Sequence, residues 1–271
     1  MAKNKTNIRQ STIMFTDIVG YSKMVEKDET HAIKILNEHN QLIETVIRKN
    51  NGKIIKHIGD AVFAEFPSSV DAVNSAIHFQ NKFKDRNALC RKDDCIVVRA
   101  GIHKGEVIEQ DNDLFGNAVN LGSRIEGTAP PGGIAISDIV KKELSNNISV
   151  REMGHVKLKN ISQPLEIFKV YLDKEDFKAE NAQTLRQLQI ERGINIVDID
   201  SFQEKKEYSI AILYPHVIGK AENDYACYSF LGEFIQEMRK IEGIRISSIQ
   251  DIIKFKGSES PVSEIARSLE T

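Results

Sequence analysis

Apolar residues in the first part of the chain switch between the spacing of strands and that of helices. Residues 12–16 are apolar and β-branched and predict a strand that ends at Asp17. The next stretch has apolar residues every three or four positions, which predicts a helix stopped by Gly52. Residues 53–66 alternate and predict a two-stranded hairpin whose turn is Gly59-Asp60.

Helical and strand patterns continue to residue 172. Ser68 with Asp71 forms a capping-box-like start of a second helix. Residues 96–102 predict a buried strand, and Val107-Ile108 predicts its partner strand after Gly105. The remaining predicted elements are a helix at 117–126, a strand at 134–136, a helix at 138–144 and an edge strand at 165–171. This order predicts an α+β sandwich with one helical layer on a mostly antiparallel sheet.

The chain changes character after residue 172. Residues 173–206 are strongly charged, and only Leu185 and Leu188 hint at a helix, so we predict a linker. Residues 207–271 then alternate strand, helix, strand and helix, which predicts a smaller α/β unit with a parallel sheet. The predicted strands are 209–213 and 244–249, and the predicted helices are 225–241 and 261–269. We therefore expect a domain at 8–172, a linker at 173–206 and a second, partial domain at 207–271.

Composition narrows the possible partners. With 271 residues, 41% of them hydrophobic, the chain can form one large core or two modest ones. A formal net charge of -2 gives no basic field for nucleic acid or an anionic membrane surface. No apolar run approaches the roughly 18 residues of a membrane span, and the start has no signal-peptide pattern. The three cysteines, Cys90, Cys95 and Cys227, cannot all pair, so we expect free thiols and a cytoplasmic location.

Two aspartates are candidates for a metal site. Asp17 follows an apolar strand and Asp60 lies on a hairpin turn, and such positions can be neighbours in a packed sheet. Two carboxylates there would suit Mg²⁺ or Mn²⁺ bound with substrate phosphates. Gly20 lets the backbone bend, so that the amides of Val19, Gly20, Tyr21 and Ser22 could cradle a phosphate. On pattern alone, an aspartate at a strand end or at a turn is usually only a turn residue.

Arginine and asparagine side chains add a second group of candidates. Arg99 interrupts an apolar strand, so it either points to water from an edge strand or binds phosphate. Asn117, Asn120 and Arg124 share one face of a predicted helix. That face is either simply solvated or part of a site.

Four ordered motifs carry a family resemblance. They are FTDIVGYS at 15–22, KHIGDA at 56–61, VRAGIHKG at 98–105 and DLFGNAVNLGSR at 113–124. Together they resemble the catalytic domain of class III adenylate and guanylate cyclases over residues 8–172. The resemblance implies a ferredoxin-like cyclase fold, an antiparallel sheet with helices.

The resemblance also implies roles for these residues. Asp17, Asp60 and the Ile18 carbonyl would hold two divalent cations, Mg²⁺ or Mn²⁺. One cation would activate the ribose 3′-hydroxyl for attack on the α-phosphorus, and the other would neutralise the leaving pyrophosphate. Arg99 would bind phosphate, and Asn120 would orient the ribose. Arg124 would stabilise the negative charge of the transition state, and Lys159 would bind the terminal phosphates.

In the family each site is shared by two chains in a head-to-tail dimer. One chain would supply Asp17, Asp60 and Arg99, and the other would supply Lys56, Asp113, Asn120, Arg124 and Lys159. Because this sequence carries both sets, the resemblance implies a homodimer with two active sites.

Lys56 and Asp113 match the positions that face the base in the family. Lys56 can only donate hydrogen bonds and ionised Asp113 can only accept them, which fits N1 and N6 of adenine and mismatches guanine. We therefore predict ATP as substrate, with an adenylate cyclase as the activity. The alternatives are a guanylate cyclase and a catalytically silent nucleotide-binding dimerisation module. A diguanylate cyclase or polymerase palm is disfavoured, because the hairpin lacks a GGDEF-like sequence.

Residues 207–271 resemble the start of a TolB-like amino-terminal domain. The resemblance is carried by SIAIL at 209–213, IEGIR at 241–245, FKG at 255–257 and IAR at 265–267. The usual Pro-Phe after the first strand is replaced by Tyr214-Pro215-His216. A regulatory partner that binds this unit is a hypothesis.

Overall fold

A mixed β-sheet forms the centre of the first of two units, Met1–Asp198 and Ile199–Thr271, into which the chain divides. The computed structural model describes residues 7–198, 208–213, 224–238, 240–241, 244–258 and 260–269. The strands are β1 (Asn7–Ile18), β2 (Lys53–Ile58), β3 (Ala61–Phe66), β4 (Val98–Gln110), β5 (Asp113–Phe115), β6 (Ile134–Ser137), β7 (Val150–Val156), β8 (Leu165–Val170) and β9 (Ile196–Val197). The helices are α1 (Tyr21–Lys27), α2 (Glu29–Lys49), α3 (Ser69–Asn87), α4 (Asn117–Glu126), α5 (Asp138–Glu143), α6 (Lys174–Ala179) and α7 (Ala182–Glu191).

The strand order in the described part of the sheet is β2-β3-β1-β4-β6-β8-β7-β9, with β5 paired to the far end of β4. The pairing of β4 with β6 is parallel, and the other pairs are antiparallel. The predicted α+β class and the mostly antiparallel sheet are therefore confirmed. The predicted hairpin at Gly59-Asp60 is the β2–β3 turn, and Ser68 accepts from the Asp71 N–H at the start of α3, as its sequence position indicates.

Helices cover both faces of the sheet, so the predicted single helical layer is wrong. On one face, α2 and α3 pack on apolar residues that include Met14, Val62 and Ala64. On the other face, α4 packs on Ile13 and Phe15. The α4 helix lies close to the strands because Ala118 and Gly122, which face them, are small. With so few large apolar residues, the sequence of α4 resembles that of a solvent-exposed helix.

The predicted turn at Gly105 is also wrong. The strand β4 continues through Gly105, which pairs with Ser11 of β1. The chain reverses instead at Asp111 and Asn112, with φ values of 52° and 63°. Positive φ at both central residues is the geometry of a type I′ hairpin, and it returns the chain along β4 as β5.

Strand β8 is not an edge strand, contrary to the prediction, because β7 lies beside it. The sequence analysis missed β7. A register shift between Glu152 and Gly154 interrupts its alternation, and Gly154 has a φ of 115°. The two-residue pattern of a strand is therefore broken in the middle of β7.

The range predicted as a charged linker begins with regular structure. Helices α6 and α7 and strand β9 belong to the first unit, and β9 pairs with β7. Leu185 of α7 is buried in a cluster with Ile125 of α4. Arg192 donates to the carbonyl oxygens of Thr128 and Ala129, just beyond α4. Residues 199–206 lie outside the described residues, and the domain boundaries at 172 and 206 stay predictions.

In the second unit, strands β10 (Tyr208–Ile210) and β11 (Ile244–Ile246) pair in parallel, as predicted. The helices among its described residues are α8 (Asp224–Met238), α9 (Ile249–Ile252) and α10 (Val262–Ser268), of which α9 was not predicted. Its buried cluster contains Leu231, Ile235, Ile246 and Ile252. Tyr214-Pro215-His216 lie outside the described residues, and the TolB-like resemblance stays a prediction. Among the described helices of the chain, none has the length and apolarity that crossing a bilayer requires.

Candidate active site

Asp17 and Arg99 face each other across two central strands. The register of β1 and β4 places them directly opposite, and Arg99 Nη2 lies 2.5 Å from Asp17 Oδ2. Burial acts against the charge of Arg99, but the hydrogen bond to Asp17 and the charge of Glu126 raise its pKa above the usual value. Because β4 lies between β1 and β6, the alternative of a water-facing arginine on an edge strand is wrong.

Asp60 reaches the same place from the tip of the β2–β3 hairpin. Its Oδ2 accepts a hydrogen bond of 3.0 Å from the N–H of Ile18, the residue after Asp17. Gly59 has a φ of 63°, which lets the turn close tightly before Asp60. Burial raises the pKa of Asp60, and the negative charge of Asp17 raises it further, while the Ile18 N–H opposes the shift. The two predicted metal ligands therefore lie close enough to repel each other.

The donors at this point fit a hard divalent cation. They are two carboxylates and the adjacent Ile18 carbonyl, and oxygen donors are those that Mg²⁺ and Mn²⁺ prefer. Burial and the charge of Asp17 raise the pKa of Asp60, and a cation bound here would favour its ionised form. Within the described residues, no three or more His, Cys, Asp or Glu side chains are arranged so that they could together hold a metal ion. A cation here would therefore keep positions for water and phosphate oxygens, as Mg²⁺ usually does.

The predicted phosphate-binding amides are only partly available. Gly20 has a φ of 78° and precedes α1, so the backbone bends where the sequence predicts. The N–H of Val19 donates to the Val97 carbonyl at 2.8 Å, however, and is already engaged. The prediction for Val19 is therefore wrong for its N–H, and the candidate cradle is reduced to the amides of Gly20, Tyr21 and Ser22.

Lys56 and Asp113, the predicted base-binding pair, are brought together although 57 positions separate them. Lys56 Nζ donates to Asp113 Oδ2, while Asp113 Oδ1 accepts from the Leu114 N–H at 2.8 Å. Burial acts to raise the pKa of Asp113, but the hydrogen bonds from Lys56 and Leu114 hold it below its usual value. Asp113 is thus an ionised acceptor beside an obligate donor.

Asn120 and Arg124 lie on the outward face of α4. The opposite face buries Ala118, Gly122 and Ile125. Both predicted catalytic side chains are exposed, and within the described part of the chain no hydrogen bond or ion pair engages them. Lys159 is also exposed, in the turn after β7. These three residues are therefore accessible to a ligand or to another chain.

Glu126 is the residue at this site that the sequence analysis missed. Its Oε1 lies 3.0 Å from Arg99 Nε, and only 14% of its side chain is exposed. Burial raises the pKa of Glu126 to about 7, because the attraction of Arg99 is offset by repulsion from Asp17 and Asp60. A sequence signal was present, since Glu126 follows the small buried residues Ala118 and Gly122 at four-residue spacing on one face of α4.

The candidate residues thus form two groups in the chain. Hydrogen bonds and ion pairs link Asp17, Asp60, Arg99 and Glu126 into an acidic group around the end of β1. The other four candidates, Lys56, Asp113, Asn120 and Arg124, are called the base-side group here, after the base contact predicted for the linked pair Lys56 and Asp113. Among the described contacts, no hydrogen bond or ion pair joins one group to the other.

The fold is that of the nucleotide cyclase class, as its likeness to solved cyclase structures shows. The chain belongs to the family described as the adenylate and guanylate cyclase catalytic domain, which matches residues 3–172. The predicted class III cyclase resemblance and the cyclase fold are confirmed.

Named relatives agree with the family. Putative adenylate cyclase 3 of Rhizobium meliloti (strain 1021) is 29% identical over 274 residues, covering 99% of this chain and 44% of that protein. Adenylate cyclase of Anabaena cylindrica is 34% identical over 184 residues, covering 60% of this chain and 37% of that protein. The chain therefore spans less than half the length of these curated relatives.

Solved structures share the fold. The adenylate/guanylate cyclase/hydrolase from Silicibacter pomeroyi has a TM-score of 0.57 and 30% identity, covering 62% of this chain and 100% of that chain. The adenylyl cyclase CyaB from P. aeruginosa has a TM-score of 0.57 and 26% identity, covering 64% of this chain and 98% of that chain.

Proposed function

We propose that this chain acts as an adenylate cyclase, which converts ATP to 3′,5′-cyclic AMP and pyrophosphate at two sites shared within a homodimer. The observation that carries the proposal is the meeting of Asp17 and Asp60 at the end of β1, beside Arg99. Two carboxylates next to a guanidinium suit the cation and the phosphates of a nucleoside triphosphate. Family membership supports the same reaction class.

The reaction balances without a further reactant. The ribose 3′-oxygen forms a bond to the α-phosphorus, and the bond from that phosphorus to the bridging oxygen of the β-phosphate breaks. Pyrophosphate leaves with that oxygen, and the proton of the 3′-hydroxyl passes to solvent. The protein must therefore hold the triphosphate, orient the ribose and stabilise negative charge.

The acidic group would serve the phosphates. Asp17, Asp60 and the Ile18 carbonyl would hold Mg²⁺ or Mn²⁺, two per site. When bound, these cations supply charge neutralisation and make the 3′-hydroxyl more acidic. Arg99 would donate to a phosphate oxygen, and the amides of Gly20, Tyr21 and Ser22 would add neutral donors.

The base-side group would serve the rest of the substrate. Asn120 would orient the ribose, and Arg124 would stabilise charge that develops on the transferred phosphorus. Lys159 would contact the terminal phosphates. Arg124 suits its task because a guanidinium stays charged and offers several donors in one plane.

Lys56 and Asp113 would select adenine. Lys56 would donate to N1, and Asp113 would accept from the N6 amine. Guanine presents a donor at N1 and an acceptor at O6, so it would place like groups together. A mismatch of buried hydrogen-bonding groups can cost about 10⁴-fold in discrimination. The depressed pKa of Asp113 supports the ionised, accepting form that this selection needs.

A homodimer would complete the site. No described hydrogen bond or ion pair joins the acidic group to the base-side group, and Asn120 and Arg124 are exposed. A two-fold symmetric dimer would pair each group with its complement from the other copy and would create two equal sites. Regulation through a partner of the second unit remains part of this proposal, without a ligand assigned.

The direct test is to incubate the purified chain separately with ATP and GTP, each with Mg²⁺ or Mn²⁺, and to quantify cyclic products by mass spectrometry. We expect cyclic AMP from ATP, much less cyclic GMP from GTP, and neither product from Asp17→Ala. Faster turnover of GTP would identify a guanylate cyclase instead. Absence of any cyclic nucleotide in all four mixtures would leave a silent nucleotide-binding module.

A further inference from the structure

Glu126 is a partly buried carboxylate for which the proposed function has no task. It ends α4, and its Oε1 lies 3.0 Å from Arg99 Nε. The helix end is pressed against β4 at this point, because a Cβ added to Gly101 would lie only 2.1 Å from the Glu126 nitrogen. The main chain that carries Glu126 is therefore fixed relative to the strand that carries Arg99.

Arg99 has one carboxylate partner on each side of its guanidinium. Nη2 donates a hydrogen bond to Asp17, whereas Nε and Glu126 Oε1 form an ion pair of 3.0 Å that lacks hydrogen-bond geometry. In the proposed function, Asp17 also holds a divalent cation, and a cation repels a guanidinium. The contact of Arg99 with Asp17 would then weaken, whereas the contact with Glu126 lies on the other side of Arg99 and would persist.

A partly buried arginine needs such a partner. Removing one member of a buried ion pair leaves the other charge uncompensated, and a flexible guanidinium then adopts other positions. Glu126 is well suited to hold Arg99, because it is more buried than Asp17, with 14% against 29% of the side chain exposed.

We propose that Glu126 is a positioning residue that holds Arg99 through Nε and keeps the Nη groups directed toward the substrate phosphates at the end of β1. The inference rests on the proposed function, because it assigns to Arg99 the phosphate contact made there. Glu126 acts only through Arg99, and this makes the inference testable.

The test is a double-mutant cycle read by binding rather than by turnover. Calorimetry at about pH 8.5, above the pKa of about 7 of Glu126, would measure the affinity of 3′-deoxy-ATP with Mg²⁺, an analogue that lacks the attacking hydroxyl. The proteins compared are the full chain, Glu126→Gln, Arg99→Ala and the double variant. Glutamine keeps the shape of the side chain and removes its charge. We expect Glu126→Gln to weaken binding about tenfold in the unsubstituted chain and less than twofold in the Arg99→Ala background, since coupled residues are not additive.

Equal losses in both backgrounds, or no loss in the unsubstituted chain, would overturn the inference. Glu126→Asp, which retains the charge on a shorter side chain, should bind more tightly than Glu126→Gln and provides a second variant if glutamine disturbs folding. Glu65→Gln is the matched control, because Glu65 is a buried carboxylate paired with an arginine, Arg9. It should lower thermal stability and leave the affinity for 3′-deoxy-ATP unchanged.

The outcomes separate this inference from the proposed function. Cyclic AMP production with an additive cycle would refute the role of Glu126 and leave the enzyme assignment standing. A non-additive cycle in a chain that forms no cyclic nucleotide would support Glu126 in a binding module and refute the enzyme assignment. If the unsubstituted chain fails to bind 3′-deoxy-ATP, both fall.

Discussion

The acidic group and the base-side group are built in different ways. In the acidic group, side chains are held by their own chain: Asp60 by the Ile18 N–H, and Arg99 by Asp17 and Glu126. In the base-side group, Lys56 and Asp113 hold each other, but Asn120 and Arg124 extend from α4 without described partners. The acidic group is assembled within the single chain, whereas two of the four side chains of the base-side group have no described partner.

Helix α4 belongs to both groups. Its inward face carries Glu126 toward Arg99, and its outward face carries Asn120 and Arg124. Under the proposed dimer, these faces serve different active sites. The comparison teaches that a single chain can preassemble the phosphate-side group, because hydrogen bonds and ion pairs within the chain hold its side chains. Under the proposed dimer, the other group is completed only by substrate and a second copy.

The largest effect on cyclic AMP formation should come from two variants, one with a substitution in the acidic group and the other with a substitution in the base-side group. Asp17→Ala and Arg124→Ala should each lower cyclic AMP formation by about 100-fold or more. Mixed in equal amounts and allowed to exchange subunits, the two variants should recover about a quarter of the original activity. Half of the dimers would then be mixed, and each mixed dimer would have one intact site.

The control for this experiment is each variant at the same total concentration without the other. Fluorescently labelled subunits would show that the two variants exchange. If they exchange and the mixture still forms no more cyclic AMP than the single variants, then both groups act within one chain and the shared-site proposal is refuted. The assay requires only a cyclic AMP measurement.

A change in the base-side group alone should alter substrate choice. Lys56→Glu replaces the donor to adenine N1 with an acceptor and places it beside Asp113, so kcat/KM for ATP should fall about 100-fold. The matched control is Lys82→Glu, the same charge change at an exposed position of α3. Unchanged preference for ATP over GTP in Lys56→Glu would contradict the assignment of the base contacts.

The close contact between β4 and the end of α4 can be tested by substituting Gly101. Gly101→Ala should lower the free energy of unfolding by about 1–3 kcal/mol, because the new methyl group would meet the main chain of Glu126. Gly127→Ala is the control at the same helix end, where the nearest atom would be 3.6 Å away. Denaturant unfolding measures both. A Gly101→Ala variant as stable as Gly127→Ala would show that α4 is not held at this point.

The smallest effect concerns the burial of Asp60 beside the negative charge of Asp17. Folding raises the pKa of Asp60, so the folded chain binds this proton more tightly than the unfolded chain does. The free energy of unfolding of the unsubstituted chain should therefore fall relative to that of Asp60→Asn as the pH rises from about 4 to 7. Thermal unfolding without divalent ions, compared at several pH values, measures this difference.

Divalent cations should make the unsubstituted chain more stable relative to Asp60→Asn. At a Mn²⁺ concentration tenfold above its dissociation constant, the unsubstituted chain should gain about 1.4 kcal/mol of stability, and Asp60→Asn should gain much less. Equal stabilisation of both proteins would contradict the cation assignment to Asp60.

The sequence was most informative where local chemistry repeats a simple pattern. The β2–β3 hairpin followed from alternation and Gly59-Asp60, and the start of α3 followed from Ser68. It was least informative where tertiary contacts override the pattern. The bulge hid β7, and the continuous strand through Gly105 depends on its pairing with β1 rather than on any local signal.

Site residues show the same division. Asp17, Asp60, Lys56 and Asp113 were identified from motifs, since their chemistry is visible in their type and spacing. Glu126 was not, because a glutamate at a helix end ordinarily faces water, and only the packing of α4 on β4 buries it against Arg99. The engaged N–H of Val19 was likewise invisible until the chain folded.

By itself the sequence determined the cyclase family, the α+β class and the identity of the side chains available for chemistry, because these depend on residue type and short-range periodicity. Only the tertiary structure decided that Asp17 meets Asp60 and Arg99, that Lys56 meets Asp113, and that α4 turns Glu126 inward and Arg124 outward. The physical reason is that strand register and close helix packing join residues distant in the chain, and no local pattern specifies those contacts.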